Sequence, residues 1–418
     1  SLPSVPVSNS DEAINPNKQS KPSELVVDLL VAGQVDAPHL SERAIAWAAT
    51  MEGNTGSGSV VRAHSDSRAS ISAIEIVGRE AREDAEQAWL ADGATLSHGA
   101  GNRSNEEEPD SDRTCFERDR DRILHEATAF RRLSGKTQVF IFPEDHQRTR
   151  LTHALEVAQV ATSIARACRL NVALTEAIAL GHDCGHGPFG HASEDAFGPY
   201  LEGGYDHAVW GADVVLAPLN LCIETLDGIR NHSWSRPAPM TPEGEVVSWA
   251  DRIAYVCHDF EDAVEAGIVS PSMLPELVRA NCGDTRSSQL HTFINAVTTA
   301  IRSTGQIGMA QPIAEALAAF RAFNYQHIYM RPASVAQGES VSRLLRALVE
   351  FYADRPNRLP FDELGHTALE GVSAGSDSAL REAVTYVAGM TDRFAFAQAR
   401  FHLGWDLAST PAGVDLGR

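Results

Sequence analysis

The sequence predicts an all-α, compact multi-helix fold with few or no strands, and two observations lead to this expectation. From Asp119 onward, apolar residues recur at the spacing of one helix face. Strand-like runs are scarce, and the best of them is QVFIF at 138–142. A length of 418 residues exceeds one typical core, which indicates one large domain with an appendage or two closely packed domains.

The composition changes along the chain and divides it into segments. Residues 1–78 are rich in Ser, Asn, Pro and Gly with weak periodicity, so we expect a poorly ordered or loosely attached N-terminal extension. Residues 79–118 form an entry segment whose acidic run, EEEPDSD, is typical of a solvated linker. Helical patterns then fill a core at 119–270 and a C-terminal part at 271–418.

Three stretches of the predicted core carry the helical pattern most clearly. In LTHALEVAQVATSIARAC the stripe consists of Leu151, Leu155, Ala158, Thr162 and Ala165. Leu174 and Ile178 repeat the pattern up to His182. In SWADRIAYVCHDFEDAVEAG an apolar stripe is formed by Trp249, Ile253, Val256, Phe260 and Val264. Asp251, Tyr255 and Asp259 lie four apart along another face of that helix. RPAPMTPEGE and DRPNRLP are expected to be loops because Pro and Gly interrupt the pattern.

The net charge of -21 limits the ligand classes. Duplex nucleic acid and anionic membranes carry the same sign of charge, so both are disfavoured as partners. An anionic substrate therefore needs a local basic pocket. Six cysteines without a CxxC pair favour free thiols in a reducing compartment, and we expect a cytoplasmic protein without a membrane anchor.

The stretch GHDCGHGPFGHASED at 181–195 concentrates histidines, carboxylates and glycines. A divalent ion that activates water needs several imidazole and carboxylate ligands plus an open position. His153, His182, Asp183 and Asp251 lie on three predicted helices whose packing can bring them together. A single helical histidine is more often structural than a ligand, but the HD pair followed by two more histidines favours a metal site. The triplet NHS at 231 is interpreted as a chance match to a glycosylation signal.

These motifs resemble the HD-domain deoxynucleoside triphosphate triphosphohydrolases, in particular the bacterial dGTPase-like proteins. The resemblance extends from REAREDAEQ at 79 to AGMTDRFAFAQ, which ends at 398. It is densest in RDRDRILHEATAFRRLSGKTQVF, RTRLTHALEVAQ, GHDCGHGPFGHASED and ADRIAYVCHDFEDA. It implies an HD-domain catalytic core at 119–270, a C-terminal part at 271–418 that completes the substrate pocket, and conversion of a dNTP to deoxynucleoside and inorganic triphosphate.

The resemblance also implies roles for individual residues. One divalent metal ion would be held by His153, His182, Asp183 and Asp251. His191 matches the catalytic histidine of the family, and we expect Glu194, one helical turn further on, to orient its imidazole, with His186 as a phosphate contact. The substrate contacts would be Gln138, Arg150, His207, Arg252, Tyr255, Asp259 and Tyr329, with Arg321 as a further candidate.

The expected substrate contacts divide by chemistry. Arg150, Arg252 and His207 suit phosphate oxygens, although a surface ion pair is the competing interpretation for Arg252. Gln138 and Asp259 would bind the 3′-hydroxyl. Tyr329 would exclude a 2′-hydroxyl, which separates deoxyribose from ribose.

Two other functions stay open at the level of sequence. Another HD-domain phosphohydrolase, such as a nucleotidase or phosphodiesterase, shares the metal ligands, and a catalytically weak dNTP-sensing protein would keep the pocket. Mixed nitrogen and oxygen donors suit Mn or Mg, our preferred ions, and also Fe, Ni or Zn. By resemblance we expect a homo-oligomer, with an allosteric dNTP site known in some members of the family.

Overall fold

A computed structural model of the chain describes residues 41–48, 50, 53–55, 60–139, 147–360 and 372–405. Residues 1–76 form one unit and residues 77–418 a second. In the first unit, helix α1 spans Glu42–Ala48, and two short strands, β1 (Asn54–Thr55) and β2 (Val61–Arg62), pair in antiparallel fashion. Most of the extension predicted at 1–78 lies outside the described residues.

The described part of the second unit is helical, and the all-α prediction is confirmed. Its helices are α2 (Arg79–Trp89), α3 (Cys115–His125), α4 (Thr128–Arg132), α5 (Arg150–Cys168), α6 (Val172–Gly181), α7 (His191–Phe197), α8 (His207–Trp210), α9 (Ile223–Arg230), α10 (Pro242–Glu265), α11 (Glu276–Cys282), α12 (Arg286–Thr304), α13 (Gln311–Asn324), α14 (Pro332–Ala353), α15 (Asp377–Ala388) and α16 (Asp392–Leu403). Short 3₁₀ turns lie at Leu133–Gly135, Gly198–Tyr200, Ala217–Leu219, Pro271–Met273 and Pro356–Arg358, and π turns at Gly211–Val215 and Tyr325–Tyr329.

Several predicted element boundaries are wrong. Helical structure begins before Asp119, because Thr114 and Glu117 form a capping box that starts α3 at Cys115. The end of the RPAPMTPEGE segment is not a loop: Thr241 caps α10, and Pro242 occupies its first turn, where a missing N–H costs nothing. Of the predicted strand QVFIF, residues 138 and 139 lie in bends, and residues 140–142 lie outside the described residues.

The charged segment before α3 is more ordered than a solvated linker. Glu107 pairs with Arg118 and Arg122 of α3, both at 2.6 Å. Arg122 also donates to the backbone carbonyls of Leu219 and Asn220. The linker interpretation is therefore wrong at Glu107.

Two clusters of buried apolar side chains form the interior of the second unit. The first is built mainly from α5, α6, α10, α12 and α13, and the second from α7, α14, α15 and α16. The loop between α6 and α7 connects them, because Cys184 packs in the first cluster and Phe189 in the second. Residues of this loop are therefore placed between two cores. No described helix is long and apolar enough to cross a membrane.

The predicted stripe on α5 is only partly buried. Ala158, Thr162 and Ala165 are buried, but Leu155 is 49% exposed. The buried face instead includes Ala154, Val157, Ala161 and Ile164. Small alanines on the buried face allow α6 and α10 to pack closely against α5.

Candidate active site

A cavity of about 490 Å³ lies in the second unit, beside the loop that connects α6 and α7. Every residue predicted to act in metal binding, catalysis or substrate binding lines this cavity except His182 and Glu194, which lie directly behind the wall. Further lining comes from Thr137, Val139, Phe189, Ala192, His232, Ser233, Trp234, Ser248, Arg321, Tyr325, Ser334, Gln337, Gly338 and Val341. The structure thus brings residues from distant parts of the sequence to one concave surface of a size typical for small ligands.

Two glycines allow the loop between α6 and α7 to approach its neighbours closely. A Cβ atom at Gly185 would overlap the carbonyl oxygen of His207 and the backbone of Gly211. Gly190 has a φ of +63°, and a Cβ there would overlap the guanidinium group of Arg150. The glycines therefore place the histidines of this loop against α8 and against the first residue of α5.

His153, His182, Asp183 and Asp251 meet at one end of the cavity. The Nε2 atom of His153 lies 3.0 Å from Oδ1 of Asp251. The Nε2 atom of His182 lies 3.4 Å from Oδ1 of Asp183 and 3.7 Å from Oδ1 of Asp251. His153, His182 and Asp251 thus present one donor atom each within 4.8 Å of one another.

The orientation of His182 indicates what this cluster lacks. Its Nδ1 lies 2.7 Å from the carbonyl oxygen of Ala179, and a carbonyl can only accept, so Nδ1 carries the proton. In the neutral ring, Nε2 is then a lone pair; it is buried and has no hydrogen-bond partner. A nitrogen lone pair that faces two carboxylate oxygens is electrostatically unfavourable unless a cation lies between them. The donor set therefore fits a divalent metal ion.

Arg150 joins the metal cluster to the rest of the cavity. It is 1% exposed, and its Nη1 donates to Oδ2 of Asp183 at 2.8 Å. Its Nη2 contacts the carbonyl oxygen of Gln138 at 3.3 Å and Nδ1 of His191 at 3.4 Å. Burial alone would raise the pKa of Asp183, but His182 and Arg150 outweigh it and hold this pKa well below its usual range. Asp183 is therefore a carboxylate at neutral pH.

Glu194 does not make the contact that its spacing predicted. Its Oε1 lies 2.7 Å from Nδ1 of His207 and 3.6 Å from Nδ1 of His186, and its hydrogen bond is to His207 rather than to His191. Glu194 and His191 present donor atoms within 4.8 Å of each other without a hydrogen bond between them, so the role of Glu194 in orienting the His191 imidazole stays a prediction. Asp206 caps α8 and directs His207 towards α7. The Glu194 carboxylate therefore bonds to His207, thirteen positions further along the chain, rather than to His191 on its own helix.

The imidazoles of the loop pack against one another. The rings of His186 and His207 stack with centroids 3.7 Å apart, and the ring of His191 lies 4.9 Å from His186. His191 is exposed to the cavity. Desolvation by the surrounding protein and, second, the charge of Arg150 lower its pKa, so its imidazole is neutral at neutral pH. A nearby polyanion would oppose Arg150 and raise this pKa.

The opposite end of the cavity has a carboxyl group in dry surroundings. Asp259 is 3% exposed, accepts a hydrogen bond from the hydroxyl of Tyr329, and leaves Oδ1 without a partner. Burial raises the pKa of Asp259 to about 7, although the bond from Tyr329 opposes the shift. Gln138 also has a buried, unpartnered Oε1. Tyr255 accepts from Nε of Arg321 at 2.9 Å. This end offers unsatisfied polar atoms to a ligand.

We expect Asp259→Asn to stabilise the metal-free protein in a pH-dependent way. Since the folded pKa of about 7 lies above the unfolded value of 3.8, ionisation costs the folded state more than the unfolded state. This penalty is small near pH 4, grows as the pH rises, and is complete above pH 7. At about 1.4 kcal/mol per pKa unit, the variant should gain up to about 4 kcal/mol in free energy of unfolding at pH 8.

Urea denaturation of both proteins in EDTA between pH 5 and 8.5 measures this gain. Asp84→Asn, at an exposed position of α2, is the control and should show no such rise. If the free energies of unfolding of Asp259→Asn and the parent differ by a constant amount over this pH range, the pKa of Asp259 is not raised.

Arg252 is not a surface ion pair. Its guanidinium carbon lies 3.4 Å from the centroid of the Trp234 ring, a cation–π contact, and its Nε is buried without a hydrogen-bond partner. The indole in turn donates to the carbonyl oxygen of Ser248 at 3.1 Å. The guanidinium is thus held at the cavity wall, where an anion can be bound.

His232 lines the cavity but is not among the residues that the sequence predicts for the site. Its Nδ1 lies 2.7 Å from the carbonyl oxygen of Ile229, the same contact three residues back that His182 makes. Its Nε2 is 3.3 Å from Nε2 of His207. The available signal is its position two residues after the last residue of α9, close to the position of His182 directly after α6.

Comparison with known proteins identifies the family. The HD domain matches residues 150–256, and the phosphohydrolase-associated domain matches residues 307–400. A deoxyguanosinetriphosphate triphosphohydrolase-like protein of Caldanaerobacter subterraneus subsp. tengcongensis is 41% identical over 324 residues, which cover 76% of this chain and 93% of that protein. Proteins of the same name from Clostridium perfringens and Desulfatibacillum aliphaticivorans are 38% and 36% identical, over 76% and 77% of this chain and 94% and 96% of their own lengths. As the resemblance of its motifs implied, this chain belongs to the deoxyguanosinetriphosphate triphosphohydrolase-like family of HD-domain phosphohydrolases.

Proposed function

We propose that this protein is a metal-dependent triphosphohydrolase, which converts a dNTP to a deoxynucleoside and inorganic triphosphate. The observation that carries the proposal is the position of His191 in the same cavity as the cluster of His153, His182, Asp183 and Asp251. Around this cluster lie phosphate-binding cations and, at the far end, unsatisfied polar groups for a sugar. The names of the relatives support the same substrate class.

The four clustered residues would hold one divalent ion, with Mn or Mg as the proposed metal. When bound, such an ion would neutralise phosphate charge, which makes the phosphorus more electrophilic, and would lower the pKa of water, which supplies the nucleophile. The protein contributes the orientation of the donors, since Ala179 fixes His182 and the Asp183 carboxylate is fixed by Arg150.

The remaining chemistry is assigned to residues of the chain. Arg150, Arg252 and His207 would bind the triphosphate, and guanidinium groups suit its oxygens. As the bond from water to the α-phosphorus forms and the bond to the 5′-oxygen breaks, the leaving oxygen needs a proton. His191 would give this proton, because the negative charge of the substrate raises the pKa of its imidazole towards the protonated form.

Sugar selection is assigned to the dry end of the cavity. Asp259 and Gln138 each have a buried oxygen without a partner, which can accept from a 3′-hydroxyl. The hydroxyl of Tyr329 is already committed to Asp259, so its ring forms a wall rather than a donor to a ribose 2′-hydroxyl. An unpaired 2′-hydroxyl in this end would be disfavoured.

The product of hydrolysis tests this proposal. We expect the purified protein with Mn or Mg to release inorganic triphosphate and one equivalent of deoxynucleoside from one or more of the dNTPs, and to act at least about 100-fold less on the corresponding rNTPs. Ion chromatography of the phosphate product with each dNTP and rNTP checks this. Release of single phosphate would favour a nucleotidase, and binding of dNTP without turnover across several metals would favour a sensor.

A further inference from the structure

Two charged residues outside the cavity chemistry are buried against the loop that carries His186 and His191. Lys136 is 2% exposed and Asp392 is 9% exposed. Lys136 precedes the cavity residues Thr137 and Gln138, whereas Asp392 is the first residue of α16, far along the chain. Burying two such groups is costly unless each is fully hydrogen-bonded, so their contacts define what they support.

Asp392 accepts three hydrogen bonds from the two segments that flank the cavity. Its Oδ1 accepts from the backbone N–H of Phe189 at 2.7 Å. Its Oδ2 accepts from the N–H of Thr137 at 2.8 Å and from the Thr137 hydroxyl at 2.6 Å. The Asp392 carboxylate therefore connects the loop between α6 and α7 to the segment that leads to Gln138.

Lys136 completes the connection from the other side. Its Nζ donates to the carbonyl oxygens of His186 and Ala388, and Ala388 is the last residue of α15. The Lys136 carbonyl in turn accepts from the N–H of Arg150 at 3.1 Å. The loop is thus held at His186 by a cation and at Phe189 by an anion. Burial lowers the pKa of Lys136 to about 8, and the negative charge of Asp392 opposes this shift.

The conformation of the loop explains why it needs such support. Phe189 has a φ of +63°, in the left-handed region that a bulky residue rarely adopts, and Gly190 follows with the same φ. The Phe189 ring packs edge-on against Phe396 of α16, with centroids 5.1 Å apart. An unfavourable backbone conformation two residues before His191 is therefore held by a carboxylate and a ring from the same helix.

We infer that Asp392, together with Lys136, is a positioning residue which holds the strained turn at Phe189 and so fixes His186 and His191 relative to the metal cluster. This role rests on the proposed function. It assigns to Asp392, within the phosphohydrolase-associated region at 307–400, the task of completing the geometry of a loop that belongs to the HD domain at 150–256.

Replacement of Asp392 by asparagine tests the inference. An amide can accept at one oxygen only, so a donor at Phe189 or Thr137 loses its partner. We expect kcat for the dNTP to fall about 10-fold to 100-fold, since a displacement of about 1 Å can have that effect. KM for the dNTP and metal affinity should change less than about 3-fold, and hydrogen exchange of the peptide that contains Phe189 should become at least about 10-fold faster.

Asp377→Asn is the matched control. Asp377 is also the first residue of a helix that follows a capping hydroxyl, Ser376, so it has the same relation to the helix dipole, but it is exposed. We expect no change in kcat or in exchange at Phe189 for this variant. Should Asp392→Asn fail to fold, Thr137→Val removes one of the three donors at nearly constant volume and should show the same changes at smaller size.

The outcomes separate this inference from the proposed function. If the parent protein hydrolyses no dNTP, the proposed function fails, while the exchange of the Phe189 peptide still tests the support of the loop. If the parent is active and Asp392→Asn retains its kcat and its exchange rate at Phe189, Asp392 is not a positioning residue. Faster exchange throughout the chain with a matching loss of active protein would likewise overturn the inference, because it would show a general structural role.

Discussion

Replacement of His191 by alanine is expected to abolish dNTP turnover and to leave metal binding intact. The side chain faces the cavity, with Nδ1 3.4 Å from Nη2 of Arg150. In the described part of the chain, no hydrogen bond or ion pair joins His191 directly to the cluster of His153, His182, Asp183 and Asp251. Loss of a proton donor to the leaving oxygen typically lowers the rate about 10²-fold to 10⁴-fold. The four proposed metal ligands are unchanged in this variant, so its metal content should equal that of the parent.

Steady-state kinetics and metal analysis after dialysis measure both parts of this expectation. His125→Ala, at an exposed position at the end of α3, is a matched control for the loss of an imidazole and should retain full activity. Retained activity in His191→Ala would show that the proton comes from another group. Loss of metal would instead place His191 among the ligands.

The spacing of residues within single helices predicted the parts of the site that lie on one element. Asp251, Tyr255 and Asp259 repeat every four residues, and all three line the cavity because the helical period places them on one face of α10. The HD pair follows directly after α6. Positions of this kind can be predicted from the sequence, because they depend only on the helical period of one element.

Contacts between elements could not be predicted in the same way. The bond of Glu194 to His207 depends on the cap of α8, and that of Asp392 to Phe189 connects residues 203 positions apart. The buried face of α5 includes small alanines such as Ala161, whereas Leu155, which the apolar pattern places on the core side, is 49% exposed. These features depend on which surfaces meet, and a one-dimensional pattern does not specify that.

Replacement of Asp251 by alanine is expected to remove the metal itself. Asp251 is the acceptor for Nε2 of His153 at 3.0 Å and lies 3.7 Å from Nε2 of His182, so its loss leaves two imidazoles without the carboxylate that joins them. Metal affinity should fall more than about 100-fold, a larger loss than removal of a residue that only supports a ligand. Activity should fall with metal content, and excess metal should restore little of it.

Asp259→Ala is the control that makes this result specific to Asp251. Both carboxyl groups lie on one face of α10 two turns apart, yet their surroundings differ. Burial would raise the pKa of Asp251, but the hydrogen bond with His153 outweighs it and lowers this pKa far below its usual range, whereas burial dominates at Asp259. A group kept ionised among imidazoles suits a cation, and a group in dry surroundings suits a hydroxyl. Asp259→Ala should therefore keep the metal and raise KM for the dNTP. Calorimetric titration with Mn measures metal binding in both variants. Loss of metal from both would show that position on the helix, rather than the surroundings of each carboxyl group, decides which residue binds the ion.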